Sequence, residues 1–346
     1  MKENGLKLTS YFGERDRAKD GFVGDALLEA YCARGLQASV MLRGFEGSGR
    51  RHQLHTDRLL TLSEDLPIVS VAVDKCERIE SLLKMVIQIQ RCGLITLERV
   101  WLLTEPIESV RLPEQLDEGT KLSIYVERRA RVNAMPAYVA ITTLLHRHGI
   151  VGATVLLGVD GTWSGQRRRA RFFARNESVS MVIVAVDAGK RIAEVLPEVG
   201  TMLPSALITL ERVRVCKRDG QVLAPPPKLP SHDEQGRAMW QKLMVYTSQT
   251  DTHGGHPIHM QIVRRLRDFD GAGVTCLRGI WGFHGDHAPH GERFFQIRRH
   301  VPVMTVVIDA PARIASAFSI IDELTNKDGL VTSETVSAMT ATYEAE

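Results

Sequence analysis

The sequence predicts an α+β protein of three tandem βαββαβ domains that close on one another as a pseudo-trimer. Two observations predict it: one set of short motifs recurs three times in fixed order, and each third repeats the same strand and helix signals. Lys-Leu, two residues, then Tyr occurs at Lys7–Tyr11, Lys121–Tyr125 and Lys242–Tyr246. Gly44, Gly158 and Gly279 follow at matching distances, with Gly47, Gly161 and Gly282 just behind them. Asp-x-x-x-Arg-Ile stands at Asp74–Ile79, Asp187–Ile192 and Asp309–Ile314. Leu-Ile-Thr-Leu-Glu-Arg-Val fills 94–100 and 207–213, and has drifted to Leu-Val-Thr-Ser-Glu-Thr-Val at 330–336. A unit this long is a duplicated domain, not a short solenoid repeat.

The first copy gives the order of elements. Leu8–Phe12 carries aromatics and a weak alternation, a strand signal. Gly21–Arg34 places Phe22, Val23, Ala26, Leu27, Ala30 and Tyr31 on a helical stripe, and Gly35 stops it. Leu36–Leu42 reads as a second strand, 43–66 as a long polar loop, and Pro67–Val73 as a short apolar strand. Glu77–Cys92 repeats apolar residues at helical spacing up to Gly93, and Leu94–Leu103 is the last strand. Asp74, Asp187 and Asp309 read as N-caps of the second helix. The order β-α-β-β-α-β is that of a ferredoxin-like unit, an antiparallel sheet with both helices on one face. Strand Ile68–Val73 has apolar residues on both faces, so the uncovered face needs a second cover. Three such faces meeting around a common axis would supply it. The domains are then 1–104, 121–217 and 242–340, with linkers at 105–120 and 218–241 and a tail at 341–346. The second linker holds Pro225-Pro226-Pro227 and Pro230, a semi-rigid spacer.

Bulk numbers narrow the function classes. The chain has 346 residues, 44% hydrophobic and 25% charged, the balance of a folded globular protein. A net charge of +3 gives no ground for nucleic-acid binding. Cys32, Cys76, Cys92, Cys216 and Cys276 form no C-x-x-C pair, which argues against a disulfide framework or structural zinc and for a reducing cytoplasm. No run of membrane-spanning or signal-peptide length is seen, so no membrane insertion is expected.

The run Arg43-Gly-Phe-Glu-Gly-Ser-Gly-Arg-Arg-His52, with His55-Thr-Asp-Arg58 and Leu62-Ser-Glu-Asp-Leu-Pro67, resembles the DUF190 (UPF0166) family. Copies two and three keep the framework and lose this loop signature: Arg175-Asn-Glu-Ser-Val179 and Arg298-Arg-His-Val-Pro302 stand in its place. That family is grouped with PII-like, nitrogen-regulatory-protein-like α/β trimers. The resemblance implies a signalling protein with ligand sites in clefts between neighbouring units, beneath the loops joining strands two and three.

The candidate residues follow from that loop. Gly44, Gly47 and Gly49 free backbone N–H groups to converge on an anion, and Arg50, Arg51 and His52 add charge or orientation. Gly158, Gly161, Gly279 and Gly282 are their counterparts, and Arg167 heads a basic stretch with Arg168, Arg169, Arg171 and Arg175. The alternative for the glycines is turn geometry alone; for the arginines it is a solvated surface. The small anionic ligand expected here includes an adenine nucleotide, the one cofactor considered. The expected partner is a protein, including a membrane transporter. The rival reading is a metal-binding ion-stress protein using His284, His287 and His290 of the third copy. RNA binding ranks last, because Ile68–Val73 and Met181–Val186 carry no aromatics for base stacking. No catalytic motif is visible, so an enzyme is not expected.

Overall fold

The computed structural model describes residues 4–48, 54–56, 65–103, 112, 116, 118–169, 178–267, 273–285, 287–291, 301–327 and 329–341. Copy one runs β1 (Gly5–Gly13), α1 (Val23–Ala33), β2 (Ala38–Arg43), β3 (Glu46–Ser48), β4 (Pro67–Lys75), α2 (Cys76–Ile89) and β5 (Gly93–Leu103). Copy two runs β6 (Thr120–Glu127), α3 (Ala137–Arg147), β7 (Gly152–Leu157), β8 (Asp160–Trp163), β9 (Ser180–Asp187), α4 (Gly189–Met202), β10 (Leu207–Arg212) and β11 (Arg214–Arg218). Copy three runs β12 (Trp240–Ser248), α5 (Ile258–Arg267), β13 (Gly273–Arg278), β14 (Trp281–His284), β15 (Pro302–Asp309), α6 (Pro311–Leu324) and β16 (Leu330–Ala341). Short two-residue hairpin arms precede the first helix of each copy.

Each copy builds the same antiparallel sheet. The order is β2-β4-β1-β5 in copy one, β7-β9-β6-β10 in copy two and β13-β15-β12-β16 in copy three. Alternation along the first strand sends its residues to two different cores. Leu6, Leu8 and Phe12 join α1 and α2 in a cluster of copy-one residues. Copies two and three have helix-side clusters of their own, the former also taking in Trp101 of copy one and Phe283 of copy three, the latter Phe45 of copy one and Cys216 of copy two. The opposite faces meet in a fourth cluster that draws on all three copies, including Val40, Val69, Tyr125, Val184, Met244 and Val306. The second cover that the apolar strands call for is therefore the other two copies.

The copies are also stitched by backbone pairing, in two cyclic sets. After the second strand, each chain segment crosses to the preceding copy: β8 pairs with β2, β14 with β7, and β3 with β13. At the fourth strands, β10 pairs with β5, β11 with β16, and the end of β16 with β5. Both sets close on themselves, so the sheet edges that a single unit would expose are paired within the chain.

Two readings of the sequence need correction. The polar stretch 43–66 is not all loop. Residues 46–48 form β3, which pairs with β13 of another copy and with a short strand, Leu54–Thr56, of its own; a three-residue strand with a central glycine gives no periodic signal. Asp74, Asp187 and Asp309 are not N-caps. Asp187 and Asp309 end their third strands and Asp74 is the last but one of its own, each one residue before the cap, Lys75, Ala188 or Ala310. Each accepts the cap residue's own N–H at 2.7 Å. The second oxygen of Asp74 takes Gln37 N–H at 2.7 Å, and that of Asp187 takes Val151 N–H at 2.9 Å. Asp74 and Asp187 thus tie the entry of strand two to the end of strand three in their copies.

Candidate functional site

The seams between copies are built from one repeated device. Gly44, Gly158 and Gly279 donate their N–H groups back to their own third strand, to Pro67 O, Ser180 O and Pro302 O at 2.7–3.0 Å. The next residue donates forward to another copy: Phe45 to Cys276 O at 3.0 Å, Val159 to Met41 O at 2.8 Å, Ile280 to Val155 O at 2.9 Å. The backbone therefore leaves one sheet and enters the next within two residues. A Cβ on Gly44 would stand 2.7 Å from Pro67 Cγ, one on Gly158 2.7 Å from Ser180 O, one on Gly279 2.8 Å from Pro302 Cγ. Gly47 faces Val274 O at 2.8 Å, Gly161 abuts Ser39 O and Gly282 abuts Ala153 O, each the backbone of another copy. These six glycines have a packing reason at the seams. Gly49, Arg50, Arg51 and His52 lie outside the described residues.

The three seams differ in side chains. Between copies one and two, Arg167 donates to Asp160 of its own copy at 2.7 Å and to Asp25 on α1. Those two carboxylates hold the Arg167 guanidinium above its ordinary value. Arg168 stands 3.4 Å from Glu127. Between copies two and three, Trp281 Nε1 donates to Thr142 Oγ1 at 3.0 Å and packs edge-on against Tyr138. Between copies three and one, buried Glu46 stands 3.8 Å from buried His259, and Phe45 lies between the His259 ring and the Arg278 guanidinium.

The third-copy histidines are not drawn together. His284 pairs with Asp219 at 2.8 Å, and His290 Nδ1 bonds Ala288 O at 2.9 Å. Among the described residues, one trio of metal-ligating side chains comes within 4.8 Å, and it is Glu98, Glu211 and Glu334. Asp286, which stands between His284 and His287 in the sequence, lies outside the described residues.

That trio belongs to a feature the sequence marks only as repetition. Lys7, Lys121 and Lys242, on the first strands, and Glu98, Glu211 and Glu334, on the fourth, form a closed ring of alternating charge. Lys7 bonds Glu98 at 2.6 Å and Glu211; Lys121 bonds Glu211 at 3.1 Å and Glu334 at 2.7 Å; Lys242 bonds Glu334 at 3.1 Å and Glu98 at 2.7 Å. Each lysine thus joins the glutamate of its own copy to that of another. All six side chains are at most 8% exposed. Ammonium groups already neutralise the carboxylates, which disfavours a metal ion.

Burial and pairing compete in the ring. Burial pulls Lys7 down, yet Glu211, Glu98 and Glu334 overcome it and hold the ammonium well above the lysine range. Lys242 is raised in the same way against burial, by Glu334 and Glu98. At Lys121 burial wins and the value falls, despite Glu211 and Glu334. Burial opposes ionisation of Glu98 and Glu334 too, but the lysines hold both below the usual carboxylate value. Beneath the lysines a small cavity of about 70 Å³ is lined by Thr9, Tyr11, Ser123, Tyr125 and apolar residues of the shared core. On the glutamate side the ring floors an open basin of about 1470 Å³. The signal that pointed here was present in the sequence: a Lys on the first strand and a Glu on the fourth, kept in all three copies.

Comparisons with known proteins agree with the threefold division. The model of the DUF190 family, described as "Uncharacterized ACR", matches residues 5–102, 119–215 and 240–338. A "UPF0166 protein" of Aquifex aeolicus (strain VF5) is 27% identical over 98 residues, covering 28% of this chain and 90% of that protein. Among solved structures, the crystal structure of aspartate kinase from Synechocystis aligns at 11% identity and a TM-score of 0.27, over 96% of this chain and 43% of the kinase chain. An anthrone oxidase-like protein aligns at 10% identity and a TM-score of 0.20, over 71% of this chain and 98% of its own. This chain thus spans less than half of the kinase chain, and likenesses at such scores carry no argument. Among the described residues no helix is long and apolar enough to cross a membrane.

Proposed function

Because this chain belongs to the DUF190 family, and its copies exchange strands where their long connections begin, we propose that it is a PII-like regulatory protein. In this reading three ferredoxin-like units close as a pseudo-trimer within one polypeptide. A small anionic ligand binds at the seams, and the segments between strands two and three carry the signal to a protein partner. The observation that carries it is the forward hydrogen bond of Phe45, Val159 and Ile280. It roots each of these segments in two copies at once, so a ligand at a seam acts on the base of a segment long enough to reach a partner. A regulatory rather than catalytic role accords with seams built of backbone pairing and closed ion pairs. A cytoplasmic setting goes with the reading, since all five cysteines are unbridged.

The unequal seams narrow the choice. Arg167 is engaged by two carboxylates, and Trp281 fills the second seam. The seam between copies three and one carries the connection with the full family signature. Calorimetry with a panel of adenine nucleotides and inorganic anions tests the proposal. Binding by the unaltered chain, lost in the Arg50→Ala, Arg51→Ala double variant, is the expected result. Binding indifferent to that variant, or no binding across the panel, refutes the seam site.

A further inference from the structure

We propose that the basin above the charge ring is a second binding site, for a multivalent phosphate-bearing anion, separate from the seams. The ring is polarised along its axis: its glutamates line the basin, whereas its lysines line the small cavity beneath. It is neutral as a whole, so the charge that a ligand meets is set by the walls. Arg99 and Arg212 directly follow two ring glutamates and are exposed on those walls. The pairing of β5 with β10 sets Leu103 against Ile208, Leu102 against Thr209 and Trp101 against Leu210. The ladder ends there, and Arg99 and Arg212 each lie two residues beyond its last pair.

Arg214 adds a third exposed guanidinium to the same wall. None of the three has an ion pair or side-chain hydrogen bond among the described residues. Carboxylates line the basin as well. Asp233 is already held by Arg237 at 2.7 Å, which leaves Glu118 and Glu234, both exposed on the linkers, against three arginines. Guanidinium groups favour phosphate because their paired N–H donors match its oxygens. Trp101, Met239 and Met339 supply an apolar wall, and the volume exceeds that of a typical small-molecule pocket, about 300–1,000 Å³. The third copy has Thr335 where the others have arginine, so the basin is lopsided and takes one ligand per chain.

The test is calorimetry on the full chain at low ionic strength, with orthophosphate, tripolyphosphate and ATP as separate probes. Tripolyphosphate and ATP are expected to bind one per chain and orthophosphate far more weakly. In the Arg99→Ala, Arg212→Ala double variant the affinity should fall roughly 100-fold, about tenfold for each guanidinium. Both residues are exposed, so the variant should melt no lower than the parent, and tripolyphosphate should raise the melting temperature of the parent alone. If tripolyphosphate and ATP both fail to bind, or bind the double variant undiminished, the axial site is overturned. Loss in the Arg50→Ala, Arg51→Ala variant without loss in the Arg99→Ala, Arg212→Ala variant overturns the axial site and leaves the seam proposal standing.

Discussion

Replacing Lys121 by methionine should destabilise the protein out of proportion to the loss of one side chain. Lys121 Nζ lies 2.7 Å from both oxygens of Glu334 and 3.1 Å from Glu211, with all three side chains at most 5% exposed. Methionine keeps much of the volume and deletes the charge. Two buried carboxylates then share two ammonium groups with Glu98, and the ring carries a net negative charge out of reach of water. Breaking a buried ion pair from one side costs about 3–5 kcal/mol. A domain has about 5–15 kcal/mol to lose, so the fall is large. The assay is equilibrium urea unfolding, read as a lower midpoint at unchanged slope. The companion experiment replaces the three lysines by methionine and the three glutamates by glutamine together. With no charge left uncompensated, this variant should recover most of the lost stability. A cost below about 1 kcal/mol for Lys121→Met, the range of exposed pairs, would refute the reasoning.

Other predictions follow from the same geometry. Glu98 and Glu334 titrate lower in the folded chain than when unfolded, so the stability they contribute is present above the ordinary value of 4.5 and is lost as pH falls through their folded values; acid unfolding monitored by circular dichroism should be steeper in the parent than in the six-residue replacement. Gly161→Ala should place a methyl group against Ser39 O and cost about 1–3 kcal/mol by forcing β8 off β2, measured by thermal melting. Arg167→Ala should strip Asp160, which is 5% exposed, of its guanidinium partner and cost about 2 kcal/mol, with Asp160→Ala added to it restoring part of the loss in a double-mutant cycle. Because both cyclic sets of strand pairing close within the chain, sedimentation equilibrium should return the 38.6 kDa of one polypeptide.

What the sequence made legible was whatever repeats or alternates. The three copies, their helices and their strands follow from spacing within one unit, and so does the need for a second cover over strands such as Ile68–Val73. The cyclic pairings were not legible, because the partners lie over 100 residues apart and the shortest strands, of three or four residues, have no period. Gly47 shows the difficulty: beside Arg50 and Arg51 it suggests an anion cradle, while in the fold it meets Val274 O of another copy. The axial ring hid for a different reason. Lys7 and Glu98 are ordinary surface residue types, and burial of six of them becomes plausible only when three copies bring alternating charges to one axis.

Amide hydrogen exchange at Phe45, Val159 and Ile280 tests most directly whether the three copies form one closed body. Each of these N–H groups donates to a carbonyl of another copy. All three should exchange slowly and with matching protection, and Lys121→Met should weaken all three together, since the ring joins every copy to both others. Fast exchange at any of them in the unaltered chain, or loss of protection confined to the copy that carries the substitution, would contradict the account.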